Sequence, residues 1–170
     1  MAAAAAASSD ESVEIARKEY IGTTWHAFSF KFAVLHLDDL QSWTFHEEFD
    51  TDCPGMPTSW MCKMVFAKAP ITAIVNLPFS LKRTDSSDDP VKLRVSLHIC
   101  DAIGTHLFNT EERLEIESIC GGGEIEKELT EILPSIERVE FYEMKLFVYL
   151  IVEILSCHTV TWENKTTPEL

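Results

Sequence analysis

Apolar residues recur at every second position along much of this 170-residue chain, and this alternation strongly constrains the fold. The clearest case is residues 91–99, where valine, leucine and isoleucine alternate with lysine, arginine, serine and histidine. Successive side chains of a β-strand point to opposite faces, so this pattern predicts strands with one buried face. The same period occurs in residues 28–34, 43–49, 60–66, 71–81, 106–108, 114–119 and 144–154. About eight short strands at roughly ten-residue spacing predict an all-β fold, an antiparallel β-sandwich.

One interval changes period and predicts a single short helix over residues 125–133. Its apolar residues are separated by three or four positions, as on one face of a helix. They are Ile125, Leu129, Ile132 and Leu133. The glycine run 121–123 precedes this interval and Pro134 follows it, and both residue types are common where a helix begins or ends.

The length of the chain suits one domain with tails. Residues 1–20 are alanine-rich and then acidic, with no apolar face to bury, so they are predicted to be a flexible tail. The sandwich is predicted to occupy residues 21–156, and residues 157–170 a C-terminal tail. Both faces of the last strand, residues 144–154, are apolar, which predicts a central strand covered on both sides.

Charge and cysteine content exclude several classes of function. The chain has 28 acidic and 14 basic residues, a formal net charge of -14, and no basic stripe to neutralise phosphates. Binding to nucleic acid or to an anionic membrane is therefore not expected. Five widely spaced cysteines without a C-x-x-C pair predict reduced thiols, and hence a cytoplasmic or nuclear protein. No apolar run has the ~18 residues that a membrane-spanning helix needs.

No pattern of residues points to catalysis or to a bound cofactor. Six histidines and five cysteines are present, but their spacing matches no zinc motif. Cys157 and His158 are adjacent, so on a strand their side chains would point to opposite faces. No serine or cysteine lies in a nucleophile motif, and the glycine run lacks the context of a phosphate-binding loop. We therefore predict that the protein is not an enzyme and holds no metal and no cofactor.

The order of these segments resembles the MATH domain, the meprin and TRAF homology family with a TRAF C-terminal-like fold. Residues 30–40, 45–50 and 77–81 resemble its first, second and fourth strands, and residues 59–66 resemble its x-W-x-L-x-V-x-P strand, with Trp60 as the tryptophan. Residues 91–104 resemble V-x-A-x-F-x-F-x-I-L-N-x-x-G, including the closing turn. The predicted helix and residues 141–154 resemble the family's short helix and last strand. The resemblance covers residues 24–156.

This resemblance implies a non-catalytic protein–protein interaction module, of the adaptor or substrate-recognition type. Such a module binds short extended segments of partner proteins. The peptide-binding residues that the resemblance implies are Phe79, Lys92, Leu93, Arg94, Val95 and Leu97, an apolar floor beside two cations. The acidic charge and the two apolar faces of the last strand leave a second function open. The chain could be an acidic β-sandwich structural subunit that acts through oligomerisation, in which case its partner is a second copy of the chain.

Overall fold

Every regular element that the structure describes is a β-strand. The computed structural model describes residues 15–34, 42–67, 74–109, 114–132 and 145–158. Its strands are β1 (Ala16–Ile21), β2 (Trp25–Val34), β3 (Ser42–Thr51), β4 (Thr58–Ala67), β5 (Ile74–Arg83), β6 (Val91–Cys100), β7 (His106–Asn109), β8 (Leu114–Ile119), β9 (Glu124–Ile132) and β10 (Leu146–Leu155). Within these ranges there is no helix, and hence none long and apolar enough to cross a membrane.

The strands form two antiparallel sheets. In the larger sheet the order is β1-β2-β10-β6, and β6 then pairs with β8 along its first half and with β7 along its second half. The smaller sheet has the order β3-β4-β5-β9. The prediction of an all-β antiparallel fold is confirmed. Two sheets over one shared core are the arrangement of a β-sandwich.

Aromatic side chains from the two sheets meet in that core. The rings of Phe32 on β2 and Phe45 on β3 stack with their centroids 4.5 Å apart, and Phe28 and Phe49 lie at the same distance. These contacts follow from the alternation along β2, because every second side chain of this strand points toward the opposite sheet. The sequence predicts five core residues that are indeed buried together: Phe30, Phe32, Trp60, Leu97 and Leu150.

The predicted helix over residues 125–133 is wrong, because β9 is an edge strand of the smaller sheet. Ile125 and Leu129 are separated by four residues, and a spacing of four places two side chains on the same face of a strand as well as of a helix. Both lie on the side of β9 that faces the core, Leu129 buried and Ile125 half-buried. Leu133, the last residue of the predicted helix, lies outside the described residues.

The glycine run before β9 forms the turn that leads into this strand. Gly122 has φ of 76°, a conformation that L-residues with side chains rarely adopt. A Cβ atom on Gly121 would lie 2.5 Å from the carbonyl oxygen of Asp85, so this glycine permits a close backbone approach. The Arg83 amide donates a hydrogen bond to the Gly123 carbonyl, which ties the turn to the end of β5.

Strand β10 lies in the centre of the larger sheet, between β2 and β6, as its apolar character predicts. Its inward side chains are fully buried, but its outward face is not covered by a second layer of described residues. Ile151 is 38 % exposed on that face. The Lys31 and Lys145 ammonium groups lie 5.2 and 5.0 Å from the rings of Tyr149 and Phe147. Lysine side chains thus partly shield the outer face, and the expectation of cover on both sides is wrong for this part of the chain.

The packed domain extends beyond both predicted boundaries. Strand β1 pairs with β2 along its whole length, so ordered structure begins before residue 21. Cys157 is buried and His158 is half-buried, so both residues belong to the domain rather than to a tail. The rest of the two predicted tails, residues 1–14 and 159–170, lies outside the described residues.

Arg17 on β1 covers one opening between the two sheets. Its guanidinium carbon lies 5.1 Å from the Phe28 ring on β2 and 5.8 Å from the Phe49 ring on β3. It also donates a hydrogen bond of 3.4 Å to the carbonyl oxygen of Glu48. The side chain therefore joins an edge strand of the larger sheet to an edge strand of the smaller one.

Arg17→Ala should lower the free energy of unfolding by about 1 kcal/mol, since a cation over aromatic rings at an exposed site contributes about 0.5–1 kcal/mol and one hydrogen bond is lost as well. Lys18→Ala is the matched control, because Lys18 is the exposed neighbour on the same strand. It should change stability by less than about 0.5 kcal/mol. Urea unfolding followed by tryptophan fluorescence measures both, and equal effects of the two variants would contradict the role of Arg17.

Candidate functional site

The structure does not bring the predicted peptide-binding residues together. Phe79 lies on β5 of the smaller sheet, whereas the other five lie on β6 of the larger one. The four apolar members are only 1–2 % exposed and belong to the shared core. They are Phe79, Leu93, Val95 and Leu97. The three apolar residues of the expected groove floor on β6, Leu93, Val95 and Leu97, thus pack between the sheets and do not line the outer face of their sheet.

The two cations of the predicted site lie on the outer face of the larger sheet. Lys92 is exposed and Arg94 is half-buried. Arg94 pairs in the ladder with Glu153 of β10, and its guanidinium donates to that carboxylate at 3.4 Å. The positive charge is thus partly neutralised by the neighbouring strand.

The outer face of the smaller sheet carries a cavity of about 360 Å³. Side chains from three adjacent strands line it: Lys63 and Val65 of β4, Pro78 and Ser80 of β5, and Glu126 and Glu128 of β9. Lys127 and Phe79 also border the cavity, so one predicted site residue is next to it.

Pro78 explains why the cavity is located here. The ladder between β4 and β5 ends at the pair Met64 and Phe79, and the next pair would join Val65 to this proline. Proline has no N–H group to donate to a neighbouring strand. The two strands are therefore unpaired beyond this point, and the space between Val65 and Pro78 is left open.

The cavity adjoins an edge of the sheet. Among the described residues β9 pairs with β5 alone, so its other side has backbone groups that no described strand uses. Both cations and anions border the opening, Lys63 and Lys127 with Glu126 and Glu128. In the ladders Lys63 lies opposite Ser80, and Ser80 lies opposite Glu126. This surface is not predicted from the sequence, because the apolar spacing within residues 125–133 predicts a helix. The signal was present in the alternation of glutamate with Ile125, Lys127 and Leu129.

A second cluster lies at one end of the sandwich. His26 is the second residue of β2, Cys53 follows β3, and Cys157 and His158 follow β10. Each offers one nitrogen or sulfur atom, and the four atoms all lie within 4.8 Å of one another. His158 Nδ1 lies 3.3 Å from Cys53 Sγ and 3.4 Å from Cys157 Sγ.

The expectation that Cys157 and His158 point apart is wrong because β10 ends at Leu155. Ser156 has a positive φ of 59°, which turns the chain out of the strand conformation. The rule that neighbours alternate between faces applies only within a strand. Beyond it, both side chains reach the same cluster.

Burial shapes the electrostatics of the cluster. His26, Cys53 and Cys157 are each only 1–2 % exposed. Burial is the main cause that raises the pKa of Cys157 to about 11, and the neighbouring Cys53 also raises it. The His26 ring lies edge-on to the His158 ring, with centroids 5.1 Å apart.

Comparison with known proteins assigns no function to the cavity or to the Cys and His cluster. No protein-family model matches this chain, and no curated protein matches it. The MATH resemblance therefore stays a prediction that is carried by the order and spacing of its motifs.

Proposed function

We propose that this chain is a non-catalytic protein-interaction module that binds an extended segment of a partner protein along β9. The observation that carries the proposal is the cavity on β4, β5 and β9, which lies directly beside a strand edge. An extended peptide adds to such an edge through main-chain hydrogen bonds. Its alternate side chains then face the sheet surface, where the side of the cavity bordered by Glu126 and Glu128 of β9 accepts one of them.

The size of the cavity suits one or two side chains of such a segment. Its volume of about 360 Å³ is at the lower end of ligand pockets, which span roughly 300–1,000 Å³. Val65 and Pro78 provide apolar surface, and Ser80 provides a hydroxyl group between them and the charged rim. Main-chain pairing therefore supplies affinity, and the cavity supplies selectivity for a side chain at one position.

The proposed family is the MATH family. Where the structure describes them, the segments that resemble MATH strand motifs lie on strands, namely β2, β3, β4, β5, β6 and β10. This agreement supports the proposal, whereas the family's short helix has no counterpart over residues 124–132. Free thiols at all five cysteines also support a reducing compartment, the cytoplasm or the nucleus.

Charge predicts the preferred partner segment and its salt dependence. The chain has a net charge of -14, and Glu126 and Glu128 border the cavity. A neutral or basic segment should therefore bind better than an acidic one. Its affinity should fall as ionic strength rises from about 0.01 to about 0.15 M, because the Debye length shortens from about 30 to about 8 Å. An affinity that is independent of salt would contradict this preference.

Filling the cavity should weaken peptide binding. Peptides selected from a phage-displayed random library on the whole chain would be titrated by fluorescence anisotropy. Ser80→Trp places an indole in the cavity and should weaken these peptides at least about tenfold, or about 1.4 kcal/mol. Ser96→Trp is the matched control, a half-buried serine in mid-strand on the outer face of the larger sheet. It should change the affinity less than about twofold, about 0.4 kcal/mol.

Hydrogen exchange tests the edge independently of the substitution. A peptide added to β9 should slow amide exchange within residues 124–132 and leave β1 unchanged. Selected peptides that bind both tryptophan variants equally would contradict the proposal. Failure to select any peptide, together with a stable dimer in sedimentation equilibrium, would instead favour the structural subunit that acts through oligomerisation.

A further inference from the structure

We propose that His26, Cys53, Cys157 and His158 form a tetrahedral site for one zinc ion, which joins the two sheets at one end of the sandwich. The site is separate from the cavity on β4, β5 and β9, and it does not depend on the proposed peptide binding. The four residues are far apart in sequence except for the last two. The fold alone brings them together.

The distances within the cluster suit zinc. Zinc bonds of about 2.3 Å to sulfur and about 2.0 Å to nitrogen place neighbouring S and N ligands of a tetrahedron roughly 3.5 Å apart. The two S–N distances to His158 Nδ1 are 3.3 and 3.4 Å. All four donor atoms lie within 4.8 Å of one another, so small side-chain rotations complete the tetrahedron.

The hydrogen bonds of the two histidines leave one nitrogen of each ring able to bind a metal ion. His26 Nδ1 lies 3.0 Å from the Glu19 carboxylate, and His158 Nε2 lies 3.1 Å from the Gly22 carbonyl oxygen. Carboxylate and carbonyl oxygens only accept hydrogen bonds, so each of these ring nitrogens carries the proton. In the neutral rings, the form that binds a metal, the lone pair is then on the other nitrogens, His26 Nε2 and His158 Nδ1. A carboxylate or carbonyl behind each histidine is the usual arrangement around bound zinc.

One of these atoms has no other use in the described structure. His26 Nε2 is buried and has no hydrogen-bond partner. A buried polar atom without a partner lowers stability by about 1–3 kcal/mol, so native structures contain few of them. Coordination of zinc through this nitrogen would provide the missing partner.

The donor set favours zinc over other divalent ions. Two thiolates and two imidazoles in a tetrahedron are typical of zinc, whereas calcium and magnesium prefer oxygen ligands. Four protein ligands leave no open position for water or substrate, which is the arrangement of a structural rather than a catalytic site. Zinc here would tie β2 and β10 of the larger sheet to the loop that follows β3 of the smaller sheet.

Local backbone packing allows the loop to reach the cluster. A Cβ atom on Gly55 would lie 3.2 Å from the Cys157 carbonyl oxygen and 3.3 Å from His158 Cβ. Glycine therefore lets the loop with Cys53 approach the end of β10. A surface cavity of about 550 Å³ lies beside the cluster, and Pro54, Gly55 and His158 are among the residues that line it. An ion could enter the site through this cavity.

Cobalt titration of the whole chain tests the site directly. The protein would be purified with a chelator and a non-thiol reductant, and then titrated with Co²⁺ alone. We expect one equivalent to bind with the intense visible bands of tetrahedral cobalt and a thiolate-to-metal charge-transfer band in the ultraviolet. Addition of Zn²⁺ should remove both signals and raise the melting temperature of the chain. Weak octahedral bands, or no charge-transfer band, would overturn the proposal.

Substitutions identify the ligands. Cys53→Ala should lower the cobalt affinity more than about 100-fold, beyond the 10–100-fold range typical of residues behind the ligands. Cys62→Ala is the matched control, since Cys62 is a buried free thiol outside the cluster, and it should bind cobalt as the wild type does. Glu19→Gln should lower the affinity about tenfold and preserve the tetrahedral spectrum, as expected for a positioning residue.

The remaining outcomes are also decisive. If Cys53→Ala does not fold, the cobalt spectrum of the wild type still tests the site, and His26→Gln tests a second ligand. His98→Gln is its control, because His98 packs against His106 on other strands, with ring centroids 4.3 Å apart. Equal cobalt affinity of His26→Gln and His98→Gln would overturn the proposal. So would a Cys53–Cys157 disulfide found by peptide mapping of protein kept under reducing conditions.

Discussion

Replacing Arg83 with methionine should lower the free energy of unfolding by about 3 kcal/mol, because losing one partner of a buried ion pair is strongly destabilising. Arg83 is fully buried at the end of β5. Its Nε donates to Asp85 Oδ2 at 2.8 Å, and its Nη1 donates to the carbonyl oxygens of Asp89 and Ile119. One side chain thus holds the loop after β5 against the end of β8.

Arg94→Met is the matched control for this prediction. Arg94 also pairs with a carboxylate, that of Glu153, but the two side chains are 26 % and 23 % exposed. An ion pair that water reaches contributes about 0–1 kcal/mol, so this variant should be affected far less. Urea unfolding at neutral pH measures both variants. A similar loss in each would show that the burial of Arg83 does not determine its contribution.

The same ion pair predicts how stability depends on pH. Burial alone would raise the pKa of Asp85, but hydrogen bonds from Arg83 and from the Ser59 and Ser87 amides, with the Arg83 charge, lower it below its usual value. The ionised carboxylate therefore stabilises the fold above its unfolded pKa of about 3.9. This contribution is lost as the pH falls through the lower folded pKa. The difference in stability between wild type and Arg83→Met should therefore narrow as the pH falls below about 5, as measured by urea unfolding.

Phe32→Ala should lower the free energy of unfolding by about 3–5 kcal/mol, the range for large-to-small changes in a core. Its ring stacks on Phe45 and also contacts Trp43 and Phe66 of the opposite sheet. Removal therefore opens a cavity between the sheets. Phe147→Ala is the control on the half-buried outer face of β10 and should lower stability by about 1 kcal/mol. Comparable losses would show that the aromatic contacts between the sheets are not the main source of stability.

The strands of this fold were predictable because their alternation is carried by large apolar side chains. In β2 and β6 nearly every second residue is buried, so period two is the only pattern that fits. In β9 the two apolar residues with described side chains, Ile125 and Leu129, fit the period of a strand and that of a helix equally well. Pairing with β5 selects the strand, and this contact between distant parts of the chain is not encoded in the local spacing.

The Cys and His cluster shows a second limit of sequence reasoning. Zinc motifs are recognised by short spacings on one turn or hairpin. Here Cys53 and Cys157 are separated by 104 residues, and their approach depends on how β3 and β10 end in space. A turn at Ser156, set by one backbone angle, aims His158 at the cluster. The sequence shows how many cysteines and histidines the chain has. Predicting which of them lie together requires the topology of both sheets.

The central position of β10 also determines when this chain can fold during its synthesis. Its register pairs Leu155 with Trp25 and Lys92, so β2 and β6 lack the strand between them until residue 155 has been made. Until then a nascent chain exposes two apolar strand edges, which are templates for pairing with other chains. Such distant pairings also make folding slow. Synthesis in the cell should therefore depend on chaperones that shield β2 and β6 until the last strand emerges from the ribosome.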